Sequence, residues 1–161
     1  MNKIKLGTYV EDPVTGFKGI AENRATYLYG CDRICVQPRM KEDGTIPDSR
    51  MFDEPQLLTI VCADIPEIPS IPPAPERVKM GNLVKDPLNG VEGTLTGRSV
   101  YLNGCARVYI EPTVKYRKDF SPYWVDEQQV VDTGKSLLTK HNPKPEESRS
   151  TGGPARASSK Y

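Results

Sequence analysis

The chain has 161 residues, with 22 basic against 21 acidic side chains and a formal charge of +1, so it lacks the basic excess of a dedicated nucleic-acid binder. A hydrophobic share of 37%, beside 15 prolines and 13 glycines, predicts small folded units sharing the chain with unstructured segments. No apolar run is long enough to cross a bilayer and the stretch from Met1 to Gly7 has no apolar leader region, which predicts a soluble, cytoplasmic protein without a membrane partner.

From its start the chain reads as one unit written twice. Setting Ile4 to Pro38 over Val78 to Pro112 pairs Gly7 with Gly81, Asp12-Pro13 with Asp86-Pro87, Gly16 with Gly90 and Gly19 with Gly93. The same register then pairs Arg24 with Arg98, Tyr27-Leu28 with Tyr101-Leu102, Gly30-Cys31 with Gly104-Cys105 and Arg33 with Arg107, without a gap. After a one-residue slip, Phe52-Asp53-Glu54 meets Val125-Asp126-Glu127, which extends each copy to about 55–60 residues, close to the lower limit for a domain that folds alone.

In each copy a short strand (Gly7 to Val10, Gly81 to Val84) runs into an Asp-Pro-x-x-Gly turn at Asp12 to Gly16 or Asp86 to Gly90, whose aspartate can bond the backbone two residues on. Gly19 and Gly93 follow, suited to a bulge or sharp bend where another backbone comes close. Asn103-Gly104, and Tyr29-Gly30 in the same place, predict two-residue hairpins. That register sets Arg24 opposite Cys35 and Thr26 opposite Arg33, with Arg98 opposite Tyr109 and Val100 opposite Arg107. Ile34, Val36, Val108 and Ile110 then face the core, and Arg24, Arg33, Arg98 and Arg107 lie on one outward face.

Closing strands near Leu57 to Val61 and Val130-Val131 complete the pattern, with no helix beyond a turn at Asp53 to Gln56. The expected fold is mainly β: two tandem small five-stranded barrel-like units at residues 4–61 and 78–133, a proline-rich linker at 62–77, and a disordered C-terminal tail at 134–161. The linker is expected to hold the units apart or hinged, unless its isoleucines pack onto one of them.

Candidate chemistry is sparse. Like charges set close on a sheet repel, so Arg24 with Arg33 and Arg98 with Arg107 call for either acidic partners, for which Asp53-Glu54 and Asp126-Glu127 recur, or an anionic ligand. In the second case Tyr29, Tyr109 or Trp124 supply a stacking face. Cys31 and Cys105 recur, but the single histidine, His141, lies in the tail and Cys35 becomes Tyr109 in the second copy, so neither a Cys-His pair nor a metal set forms; a small buried role is expected for both thiols. No phosphate loop, cofactor or metal site is expected.

The pattern Gly7-x-x-Val10-x-Asp12-Pro13-x-x-Gly16-x-x-Gly19, echoed from Gly81 to Gly93, resembles the opening of small five-stranded barrels of the Src-homology-3-like and KOW type. Together with Tyr27-Leu28-x-Gly30-Cys31 and Tyr101-Leu102-x-Gly104-Cys105, it is similar to small uncharacterised proteins of tailed bacteriophages and prophages. The resemblance implies a phage source and not an activity; with two similar units and no catalytic signature in the sequence, the expected function is a non-enzymatic binding or adaptor protein acting in the host cytoplasm on a host or virion protein. Two other readings stand beside it: a binder or sponge of a nucleotide-like anionic molecule, and a weak nucleic-acid binder. A homo-oligomer fits any of the three.

Overall fold

A computed structural model describes residues 3–138, and among them no α-helix is present and no helix is long and apolar enough to cross a membrane. The described residues form ten antiparallel strands. The first repeat holds β1 (Tyr9–Glu11), β2 (Lys18–Tyr27), β3 (Arg33–Gln37), β4 (Arg50–Asp53), a 3₁₀ turn at Glu54–Gln56, and β5 (Leu58–Thr59). The second holds β6 (Asn82–Asp86), β7 (Val91–Tyr101), β8 (Ala106–Pro112), β9 (Tyr123–Asp126), a 3₁₀ turn at Glu127–Gln129, and β10 (Val131–Ser136).

Strand order repeats as well: β5-β1-β2-β3-β4 in one half and β10-β6-β7-β8-β9 in the other. The first turn of each half closes as its composition predicts. Asp12 takes the N–H of Val14 on its carboxylate while Gly16 N–H donates to the Asp12 carbonyl at 2.8 Å, and Asp86 takes the N–H of Leu88 likewise. Gly19 and Gly93 answer to crowding rather than to a bulge: a Cβ on Gly19 would lie 2.4 Å from the Gln37 carbonyl oxygen, and one on Gly93 2.6 Å from that of Glu111.

Each repeat packs a core of its own. Ile4, Val10, Ala21, Ile34, Val36 and Leu57 cluster in the first, and Val78, Val84, Leu95, Val108, Ile110, Val125 and Val130 in the second. Most pair by position, so equivalent side chains do equivalent work, and the expected core residues Ile34, Val36, Val108 and Ile110 are all fully buried.

The central hairpins correct the expected register by one residue. Ala25, not Thr26, lies opposite Arg33, and Ser99, not Val100, opposite Arg107. A two-residue type I′ turn needs positive φ at both tip residues, yet only the glycines have it, Gly30 at 108° and Gly104 at 81°. Tyr101 N–H therefore bonds the Cys105 carbonyl across a longer loop. The ladders slip between Ala21 and Asn23 and between Leu95 and Gly97, so the bulges sit at Glu22 and Thr96. Beyond them the two long strands turn their other face to the core. Arg24 now shares a face with Ile34, and Arg33 shares the opposite one with Ala25; the four arginines do not lie together.

The halves are joined rather than held apart. β2 pairs antiparallel with β7 from Asn23↔Tyr101 through Ala25↔Ser99 to Tyr27↔Gly97. Flanking bonds run from Leu28 N–H to the Thr96 carbonyl and from Leu102 N–H to the Glu22 carbonyl, both at 2.8 Å, and they are exchanged by the same local two-fold. The linker lies on this body, with Ile68 N–H bonded to the Gly7 carbonyl and Ile71 N–H to that of Leu102. At the far end β10 continues to Ser136, past the expected boundary at 133, and Leu137 N–H bonds the Gly81 carbonyl at 3.0 Å. The remainder of the expected tail, from residue 139, lies outside the described residues.

Candidate functional site, a composite sheet face

Pairing β2 with β7 lines up six strands in the order β4-β3-β2-β7-β8-β9, and residues directly opposite one another on antiparallel strands share a face. One row runs Asp53, Arg33, Ala25, Ser99, Arg107, Asp126 across all six. A neighbouring row runs Tyr27, Gly97, Tyr109, Trp124, and its symmetry mate runs Tyr101, Asn23, Cys35, Met51. Five interstrand steps make the face roughly 24 Å wide.

Small side chains form its floor. Ala25 and Ser99 are buried at the two-fold, with Ser99 Oγ donating to Asn23 Oδ1 at 3.1 Å. On either side stand Arg33 and Arg107, 44% and 42% exposed, each beside an acid: Arg33 Nε lies 3.1 Å from Asp53 and Arg107 Nε 3.5 Å from Asp126. Arg107 also donates to the Trp124 carbonyl, while its buried Nε makes no hydrogen bond. Aromatic rings gather at one end: Trp124 lies 5.0 Å from Tyr109 and 6.3 Å, edge-on, from Tyr27, over the gap left by Gly97.

Of the expected site residues, the structure brings together Arg33, Arg107, Tyr109 and Trp124. Arg24 and Arg98 are elsewhere, each locked in an internal ion pair. Arg24 reaches Glu54 at 2.7 Å and the Ile4 carbonyl, and Arg98 reaches Glu127 at 2.8 Å and the Ala74 carbonyl. Each glutamate also accepts a backbone N–H from the chain leading into its repeat, Ile4 to Glu54 and Arg77 to Glu127. Burial alone would raise the Glu54 carboxyl, but the Arg24 and Ile4 bonds outweigh it and hold that group below its ordinary value. These pairs are clamps that pin each repeat to its own first residues.

Tyr29 stands apart at the tip of the first hairpin, 79% exposed, at the edge of a cavity that Thr94, Thr96 and Val114 of the second repeat also line. Cys31 and Cys105 are exposed and not the buried residues expected, because the longer loops carry them past the sheet; Cys35 is the buried thiol. Tyr27 and Tyr101, which complete the face, are absent from the sequence-derived set. Their signal was a tyrosine recurring two residues after a small one, Ala25 or Ser99, which only the pairing between repeats makes meaningful. No family model, curated protein or solved structure matches the chain.

Proposed function

We propose that the chain is a non-enzymatic adaptor built from two small five-stranded barrels of the Src-homology-3-like type, and that the six-strand face at their junction is its protein-docking surface. Support for the barrels is the strand order common to both halves, with a 3₁₀ turn between the fourth and fifth strands and a separate core in each. Support for docking is the juxtaposition of Arg33, Arg107, Tyr27, Tyr101, Tyr109 and Trp124 on one broad face, since Arg, Tyr and Trp are the residues that dominate binding energy at protein interfaces. On the resemblance to tailed-phage proteins, the partner is a host or virion protein met in the host cytoplasm.

A nucleotide-like ligand fits this face less well. Each exposed arginine already has an aspartate beside it, and the cavities at the hairpin tips open elsewhere. The test is retention of a partner from host or virion lysate by the full chain, by Trp124→Ala and by Arg33→Ala/Arg107→Ala, with circular dichroism to show that each variant is folded. Loss of about 2 kcal/mol of binding, roughly thirtyfold, in either variant is expected. A partner held equally by all three, or a nucleotide whose binding heat vanishes in the double variant, would overturn the assignment.

A further inference from the structure

The second repeat carries a peptide on its hairpin tip: its own linker. Ile71 N–H donates to the Leu102 carbonyl at 2.9 Å and Ala74 N–H to the Gly104 carbonyl at 3.4 Å, while Arg98 donates to the Ala74 carbonyl. The strap lies close enough that a Cβ on Gly104 would stand 3.0 Å from both the Ile71 side chain and the Pro72 carbonyl oxygen. Beneath it is a groove bounded by Cys105 and the 3₁₀ residues Glu127 and Gln128.

The first repeat has the same groove without a strap. About 440 Å³ lies between Lys3, Ile4, Cys31, Asp32, Glu54, Pro55 and Leu57, and five of these, Lys3, Cys31, Asp32, Glu54 and Pro55, match Arg77, Cys105, Ala106, Glu127 and Gln128 around the groove of the second repeat. A Cβ on Gly30, the match of Gly104, would meet nothing within 4 Å. The carbonyls of Leu28 and Gly30, matches of Leu102 and Gly104, accept no hydrogen bond from the described residues. Two acceptors and an apolar floor are thus set out in the geometry that the second repeat fills.

We propose that this groove of the first repeat binds an extended, proline-bearing peptide of a partner protein, with an aliphatic residue followed by proline and with N–H donors three residues apart. The template is the seated segment Ile71-Pro72-Pro73-Ala74. Two occupants from the chain itself fit less well. By the local two-fold, Leu137 N–H on the Gly81 carbonyl matches Ile68 N–H on the Gly7 carbonyl. Counting on from Leu137 as from Ile68, the place of Ala74 falls on Pro143, which has no N–H to give. The linker of a second copy already donates its two N–H groups to its own Leu102 and Gly104.

The test titrates ¹⁵N-labelled full-length chain with a synthetic peptide of the Glu67 to Glu76 sequence. Amide shifts are expected at Leu28 to Asp32 and Glu54 to Leu57, with those of Asn103 to Ala106 unmoved. Methylating the two peptide nitrogens that correspond to Ile71 and Ala74 is expected to weaken binding at least tenfold, because both backbone bonds are lost. No shift at millimolar peptide, equal binding of the methylated peptide, or shifts confined to the second hairpin would each overturn the proposal. So would binding seen only in a chain ended at Leu138, which would give the groove to the chain's own later residues.

Discussion

Ala25 and Ser99 occupy the same position in the two repeats and face each other across the β2–β7 pairing, so the repeats meet about a local two-fold axis. Both are buried, and Tyr27 and Tyr101 follow them two residues on along the same face. Ala25→Leu and Ser99→Leu should each cost about 1–3 kcal/mol by overpacking. Because the two side chains meet, the double variant should depart from additivity by at least about 0.5 kcal/mol. Urea denaturation of the four proteins of that cycle checks this, and additive costs would separate the two sites.

The two classes of ion pair should differ sharply. Arg98 and Glu127 are 13% and 3% exposed, so Glu127→Ala leaves a guanidinium buried and also strands the Arg77 N–H; a cost of about 3–5 kcal/mol is expected. Asp126 is 76% exposed beside Arg107, and Asp126→Ala should cost less than about 1 kcal/mol. Denaturant midpoints decide. Similar losses at both positions would mean that Glu127 is not a clamp.

Close approach at Gly93 sets a third expectation. A Cβ there would meet Ile110 Cγ2 at 2.4 Å and the Glu111 carbonyl oxygen at 2.6 Å, so Gly93→Ala must push β7 and β8 apart. A loss of about 1–3 kcal/mol should follow in thermal unfolding. A neutral result would show that the β7–β8 ladder yields at that point.

Much of this architecture was written locally and could be read from sequence. The Asp-Pro-x-x-Gly turns at Asp12 and Asp86 carry their own side-chain bonds, and alternation placed Ile34, Val36, Val108 and Ile110 inside. The register was not legible, since Asn103-Gly104 permits more than one loop and only the φ of Asn103 distinguishes them. Nor were the bulges at Glu22, which no glycine marks, and at Thr96, where only Gly97 of the second repeat stands beside it. The composite face was least visible of all. Arg33, Tyr109 and Trp124 could be named one by one, but Ala25 against Ser99 is a contact between repeats, and a repeat examined alone shows it only as a gap in its own surface.

Tyr123 and Asp86 offer a test by pH. Tyr123 Oη donates to Asp86 Oδ2 at 2.9 Å, and Gln129, Asn89 and the Leu88 N–H also donate to that carboxylate. Burial, then the bond to Asp86 and its negative charge, push the Tyr123 hydroxyl up to about 12 from 10.0. Burial alone would raise Asp86, but its four donors outweigh that and hold it below 3.8. In the unfolded chain tyrosine loses its proton near pH 10, while in the fold it keeps it to about pH 12; the stabilisation is therefore complete below pH 10 and disappears as pH rises to about 12. On the order of 2 kcal/mol should be lost across that interval. For Asp86 the sign is reversed: its share is present above about pH 4 and is lost as acid protonates the folded carboxyl. Tyr123→Phe should lower stability at neutral pH by about 1–3 kcal/mol, as one donor to a buried carboxylate is removed; it should flatten the alkaline slope and also shrink the acid limb, which the three remaining donors to Asp86 still sustain. Urea midpoints from pH 3 to 12 measure both limbs, and an alkaline slope unchanged in Tyr123→Phe would assign it to another tyrosine.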